Sequence, residues 1–138
     1  MENKHLIADI PQKAIIEHDG KVLLIKPINK QKWEIPGGRL DEGESPVAGI
    51  QREIKEELGL DIEPIEIVDT FVLLEEEPPN HFTLVWSAKL LSSTGDFKKQ
   101  DDEIQDAIWV SENEVENLVF YKEHKNGLKK YFHRRKID

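Results

Sequence analysis

Three glutamates, Glu53, Glu56 and Glu57, lie three and four residues apart in a segment with a helical pattern. Side chains at these spacings share one face of a helix. Like charges on one face destabilise a helix unless a positive charge lies against them. Hard cations such as Mg²⁺ bind carboxylate oxygens. The glutamates therefore predict a divalent-cation site and metal-assisted chemistry, most naturally on phosphates.

The helix that would carry these glutamates has clear signals at both ends. Ser45 is a good N-cap and Pro46 is favoured at the first helical position, while Gly59 suits the end after Leu58. Apolar residues recur at helical spacing on the side away from the acids, and we expect them to face a sheet. These residues are Val47, Ile50, Ile54 and Leu58.

The elements around this helix are mainly strands. Apolar runs at 14–16 and 22–25 flank Asp19-Gly20, which is a strong hairpin signal. A short strand at 33–35 should stop at Pro36-Gly37-Gly38, with a loop from 39 to 44. Further strands are predicted at 65–74, 82–91 and 107–110. A helix should begin at the capping box 111–114, and another should lie within 121–135. This order indicates an α+β or mixed α/β sandwich.

Composition limits the remaining possibilities. A length of 138 residues fits a single domain, residues 1–138, and the 38% hydrophobic content can form an ordinary core. The chain has no cysteine, so disulfides and thiolate metal sites are excluded. It has neither an apolar run of membrane-spanning length nor a secretory signal, so we expect a cytoplasmic protein without a membrane partner. The net charge of −9 argues against a grip on long nucleic acid.

Residues 38–60 resemble the signature of a known family, the Nudix hydrolases, also called MutT-like. The pattern runs from Gly38 through Glu44 to Arg52-Glu53, then Glu56-Glu57 and Gly59, with Ile54 and Leu60 in the aliphatic positions. Every specified position is present, and residues 33–37 are similar to the usual approach to this box. One departure is Gly49, where family members more often carry alanine. Since glycine weakens a helix interior, we attribute its presence to close packing of the helix on the sheet.

The resemblance implies an α/β/α sandwich with a mixed sheet and Mg²⁺-dependent hydrolysis of a nucleoside diphosphate linked to another group, X. Mn²⁺ is expected to substitute for Mg²⁺. The metal ligands would be Glu53, Glu56, Glu57 and the carbonyl of Gly37, with Gly37 and Gly38 forming the glycine turn of the site. Glu53 is the first choice as general base. Glu103, in the acidic loop before Trp109, is either the base or a further ligand. Arg52 would orient a carboxylate, with Glu44 as its candidate partner.

Alternatives remain at this stage. The substrate could be a nucleoside triphosphate, ADP-ribose or a dinucleoside polyphosphate, because specificity depends on loops outside the box. A non-catalytic nucleotide-sensing domain and an RNA 5′-end pyrophosphohydrolase are competing functions, and a homodimer is possible. Core packing is the favoured interpretation of Trp33 and Trp109 over base stacking. A surface position is favoured for His81, and a solvated helix end for the basic cluster at 129–136.

Overall fold

The computed structural model describes residues 4–92, 94–100 and 102–137, except the side chain of residue 137. These residues form seven strands and three helices. In chain order the elements are β1 (Ala8–Asp9), β2 (Pro11–His18), β3 (Lys21–Pro27), β4 (Gly37–Arg39), α1 (Pro46–Leu58), β5 (Ile62–Leu73), β6 (Asn80–Leu90), β7 (Ile104–Val110), α2 (Glu112–Leu118) and α3 (Lys122–Ile137).

The strands form one mixed sheet. Strand β6 pairs in parallel with β1 and β2 and antiparallel with β5. The other edge of β2 pairs antiparallel with β4 near its start and with β3 near its end, and β3 pairs with β7. Asp19 and Gly20 both have positive φ, as a two-residue hairpin turn requires, so the predicted hairpin is confirmed.

The core lies on both faces of the sheet because alternate strand residues point to opposite sides. Ile16 and Leu23 pack with Ile50 and Ile54 of α1 on one face. Ile15 and Leu24 pack with residues of α2 and α3 on the other. Helices therefore cover both faces of a mixed sheet, and the predicted α/β/α sandwich is confirmed.

Helix α1 has the predicted bounds. The Ser45 hydroxyl accepts a hydrogen bond from the Ala48 N–H at 3.2 Å, and Gly59 ends the helix with φ 67°. Ile50, Ile54 and Leu58 are buried as predicted, but Val47 is 43% exposed and the prediction for it is wrong. Residues 45–48 are all exposed, so the sheet and its neighbours do not cover the first turn of the helix.

The predicted strand at 33–35 is also wrong. Trp33 and Glu34 form only isolated bridges, and to different partners, Val119 and Ile25, so no continuous ladder develops. The strand instead follows at Gly37–Arg39, which was predicted as a stop and a loop. It lies so close to β2 that a Cβ on Gly37 would come within 1.8 Å of the Gln12 carbonyl oxygen. The absence of a side chain at Gly37 permits this pairing.

Both predicted C-terminal helices are present: the capping box of Ser111 and Glu114 begins α2, and α3 runs through Gly127 and ends two residues beyond the predicted limit of 135. Gly127 packs against the sheet, where a Cβ would lie 3.4 Å from a Val85 methyl carbon. Five lysines and arginines of the basic cluster at 129–136 form ion pairs with acidic residues. The pairs are Lys129–Glu116, Lys130–Asp69, Arg134–Glu66, Arg135–Glu17 and Lys136–Glu112.

Candidate active site

Strand β4 and helix α1 meet at Gly38 and Glu53, which are the closest contact between the glycine turn and the acidic face. A Cβ on Gly38 would lie 2.3 Å from Glu53 Oε2, so the carboxylate rests directly on the glycine backbone. Gly37 has φ 154° and faces β2. The short strand thus places a glycine backbone beside the first of the three predicted glutamates.

Arg52 is the centre of an ion-pair network on the acidic face. Its Nε and Nη2 bind the two oxygens of Glu44 at 2.9 and 2.8 Å, a bidentate arrangement. Its Nη1 donates to Glu53 at 3.0 Å and to Glu56 at 3.3 Å. Asp41 adds a further carboxylate 3.2 Å from Nη2. The pairing expected between Arg52 and Glu44 is present, and it connects the loop before α1 to the glutamates on the helix.

The network sets the charge state of its members. The Arg52 guanidinium and the Asp41 N–H hold the pKa of the Glu44 carboxyl at about 2, well below its usual range. The hydrogen bonds to Glu44 raise the pKa of Arg52 above its ordinary value. Glu44 and Arg52 are therefore a permanent ion pair at any physiological pH.

Glu57 differs from the other glutamates because it is buried. Its exposed fraction is 7%, and Oε1 lacks a hydrogen-bond partner among the described residues. Burial raises the pKa of Glu57 to about 8, although the nearby Lys13 ammonium opposes the shift. A buried carboxyl oxygen without a partner is costly unless a cation or donor occupies the space beside it. The chemistry of this position therefore fits a hard divalent cation.

Glu53 and Glu56 are turned towards Arg52 rather than towards Glu57. Burial also raises the pKa of Glu53, while Arg52 acts in the opposite direction. Within residues 4–92, 94–100 and 102–137, no three His, Asp or Glu side chains converge closely enough to hold an ion. The three predicted ligands line one cleft, and Glu53 and Glu56 each have one carboxylate oxygen bound to Arg52.

The cleft shares part of its lining with a second cavity of about 890 Å³. Residues that line both spaces are Gly37, Gly38, Arg39, Glu57 and Glu103. Glu103 is exposed in the loop before β7, and its charge is close enough to act on Glu57. The structure therefore brings Glu103 to the same site as the box glutamates, 46 positions along the chain from the last of them.

Several cavity residues escaped the sequence analysis. Phe71, Tyr121 and His124 form an aromatic wall, with His124 5.3 Å from the Tyr121 ring centroid and 6.3 Å from that of Phe71. His124 Nδ1 accepts a hydrogen bond from the Ile35 N–H at 3.1 Å, and burial lowers the pKa of His124 to about 3. The neutral ring therefore carries its proton on Nε2. No local pattern marks the set, because Phe71 comes from β5, while Tyr121 lies just before α3 and His124 in its first turn.

Trp33, Trp109 and His81 differ in whether they reach the cavity. Trp33 and Trp109 pack against the two core clusters and do not line the cavity. The Trp109 indole N–H donates to the Gly95 carbonyl at 2.9 Å. His81 lines the cavity and contacts Asp9, and its side chain is only 27% exposed. The prediction of a surface position for His81 is therefore wrong, because β6 turns this residue inwards beside β1.

Comparisons with known proteins identify the family that this chain resembles. A protein-family model described as NUDIX domain matches residues 14–134. Nudix hydrolase 5 of Arabidopsis thaliana is 27% identical over 119 residues, and an 8-oxo-dGDP phosphatase of Homo sapiens is 34% identical over 103. The matches cover 83% and 70% of this chain but only 39% and 30% of those proteins. This chain therefore spans well under half the length of either relative.

The fold has solved counterparts. A crystal structure of a NUDIX hydrolase from Nitrosomonas europaea matches with a TM-score of 0.80 at 25% identity. The match covers 97% of this chain and 75% of that one. Among the described residues, no helix combines the length and the apolar character needed to cross a membrane.

Proposed function

Because the chain belongs to the Nudix family, whose NUDIX domain model matches residues 14–134, we propose that it is a Mg²⁺-dependent pyrophosphohydrolase. Its substrate would be a nucleoside diphosphate linked to another group, and the bond cut would be the phosphoanhydride. The observation that carries this proposal is the buried, unpartnered oxygen of Glu57. It lies on the same helix face as Glu53, beside a glycine strand, where a divalent cation and a diphosphate would meet.

The residues that would hold the cation are Glu53, Glu56, Glu57 and the carbonyl of Gly37, with Glu103 as a further ligand or as the base. When bound, Mg²⁺ would offset the charge on the phosphoryl oxygens and lower the pKa of water at the site. Glu56 is the most exposed of the three helical carboxylates, at 57%, so it would be the freest to reorient.

The reaction requires one proton acceptor. A water oxygen would attack phosphorus, the bond to the bridging oxygen would break, and the water proton would pass to Glu53. Glu53 is held for this task by Arg52, which is fixed in turn by both oxygens of Glu44. The burial that raises the pKa of Glu53 makes it a stronger base than an exposed glutamate.

The cavity supports a substrate with a nucleoside-sized group. A space of about 890 Å³ walled by Phe71, Tyr121 and His124 suits a flat aromatic ring beside the diphosphate. The human relative is named an 8-oxo-dGDP phosphatase, which agrees with a nucleoside diphosphate unit. Nucleoside triphosphates, ADP-ribose and dinucleoside polyphosphates all contain this unit.

The test is a screen of these three substrate classes with purified protein and Mg²⁺, identifying the released products. Hydrolysis in isotopically labelled water would show which phosphorus is attacked. We expect Glu53→Gln and Glu57→Gln to abolish turnover, while Glu63→Gln, at an exposed position of β5, retains it. Binding of nucleotides without turnover in the unmodified protein would instead favour a sensing domain.

A further inference from the structure

Lys13 is a nearly buried cation at the junction of the cleft and the cavity. Its side chain is 13% exposed, against 47% for Lys30 and 68% for Arg39, which line the same cavity. Lys13 lies on β2 directly opposite Gly37 in the β2–β4 register. A cation held in this position is close to the place where a diphosphate would enter.

Lys13 lines the same cavity as Glu57 and His124. Its positive charge acts on both of these side chains. A polyanion bound in this cavity would therefore meet the Lys13 charge.

Glu34 forms an ion pair with Lys13, but Lys13 is not its only cationic partner. Glu34 Oε1 lies 3.5 Å from Lys13 Nζ, and Glu34 Oε2 lies 3.5 Å from Lys30 Nζ. Glu34 is 3% exposed, so it requires at least one positive neighbour. Because each oxygen has its own lysine, Glu34 would keep Lys30 if Lys13 turned to another anion.

The charge balance of the cavity favours such an exchange. The cavity is lined by several carboxylates, among them Glu34, Glu57, Glu103 and Glu123. A diphosphate entering this space meets repulsion that a metal at Glu57 would offset on one side only. A protein cation in the same cavity would help to hold the nucleoside-linked phosphate.

We propose that Lys13 is a substrate-binding residue that pairs with a phosphoryl oxygen of the nucleoside diphosphate unit and exchanges Glu34 for it on binding. This inference rests on the proposed function for the identity of the substrate. Nothing in the family signature includes position 13, since the box begins at Gly38.

A double-variant experiment distinguishes this role from simple neutralisation of Glu34. The proteins are the unmodified chain, Lys13→Met, Glu34→Gln, the combination of both, and Lys89→Met as a control on the exposed side of β6. The first measurement is calorimetric binding of inorganic pyrophosphate and of ADP in the presence of a chelator. The second is KM and kcat with Mg²⁺ and whichever substrate the screen identifies.

We expect Lys13→Met to weaken pyrophosphate and ADP binding by about tenfold to a hundredfold and to raise KM by a similar factor. Glu34→Gln should bind at least as tightly as the unmodified chain, because Lys13 is then released. The double variant should stay as weak as Lys13→Met, and Lys89→Met should match the unmodified chain.

Recovery of tight binding in the double variant would overturn the proposal, since Lys13 would then only neutralise Glu34. Unchanged binding in Lys13→Met, or no pyrophosphate and ADP binding by the unmodified chain, would also overturn it. The binding arm contains no metal and needs no turnover. A protein that binds through Lys13 but hydrolyses nothing would therefore refute the proposed function while leaving this inference standing.

Discussion

Glu53 Oε2 lies against the backbone of Gly38 so closely that a Cβ there would come within 2.3 Å of it. Gly38 thus provides the surface on which the Glu53 carboxylate rests, and its lack of a side chain determines the position of the proposed base. Only the flexible end of Glu53 occupies the space that a methyl group would take.

Gly38→Ala should therefore displace Glu53 while leaving the fold intact. We expect kcat to fall by about a hundredfold or more, because displacing a catalytic group by about 1 Å has an effect of this size. Gly127→Ala is the matched control. Its Cβ would make ordinary contact with Val85, so activity should be retained. Equal activity of the two variants would show that Gly38 does not determine the position of Glu53. Steady-state kinetics and circular dichroism provide the measurements.

Arg52→Met should release Glu44 from its bidentate partner. Because Arg52 is the largest influence holding the pKa of Glu44 at about 2, that pKa should rise towards its ordinary value near 4.5. The pKa of Glu44 is lower in the folded state than in the unfolded state. By linkage, ionised Glu44 therefore stabilises the fold fully above about pH 4.5, and this stabilisation is lost as the pH falls from about 4.5 to 2. Carboxyl-carbon NMR titration would follow the change, and kcat should fall by about tenfold to a hundredfold as Glu53 loses its donor. A Glu44 titration unchanged by the substitution would contradict the network.

Glu57→Gln should separate stability from activity. The pKa of Glu57 in the folded protein, about 8, exceeds its ordinary value of 4.5. The protonated Glu57 carboxyl therefore stabilises the fold fully below about pH 4.5, and this stabilisation is lost as the pH rises through 8. In metal-free protein near pH 8.5 the substitution should raise the free energy of unfolding by about 2–4 kcal/mol. It should also abolish turnover.

Mg²⁺ provides the internal check on Glu57. The ion should raise the melting temperature of the unmodified protein, because it binds only the folded state. The Glu57→Gln variant should show a much smaller rise. The same Mg²⁺-dependent rise in both proteins would remove Glu57 from the ligand set. Thermal unfolding with and without a chelator decides the outcome.

His124→Gln should change the acid stability of the protein. The folded pKa of about 3 lies below the ordinary 6.5, so His124 favours the fold above about pH 6.5 and this contribution is lost as pH falls towards 3. Between about pH 7 and 4 the unmodified protein should lose about 3 kcal/mol relative to the variant. Denaturant unfolding at several pH values measures this difference. His133→Gln, at an exposed position of α3, should track the unmodified protein instead.

Local signals in the sequence were sufficient for α1 and for the position of its acidic face. The cap at Ser45, the terminating Gly59 and the apolar spacing each depend on neighbours within a few residues. The hairpin at Asp19-Gly20 and the capping box at Ser111 were predictable for the same reason. Local signals alone therefore predict that the three box glutamates lie on α1, as the structure shows.

The rest of the site depends on contacts distant in sequence. The strand at Gly37–Arg39 forms because Gly37 can approach the β2 backbone closely, whereas a glycine pair usually signals a turn. The exposure of Val47 depends on how far the sheet extends beneath α1. Lys13 and His124 join the cavity from opposite ends of the chain, and neither carries a local pattern that predicts its neighbours.

One guanidinium group, that of Arg52, pairs with four crowded carboxylates of α1 and the loop before it. Small metal-dependent domains often remain unfolded until their ion arrives, since nothing else compensates their ligands. Here an internal cation already fills that role for all but Glu57. The protein can thus fold before it binds its ion. A chelator would therefore abolish its activity without unfolding it.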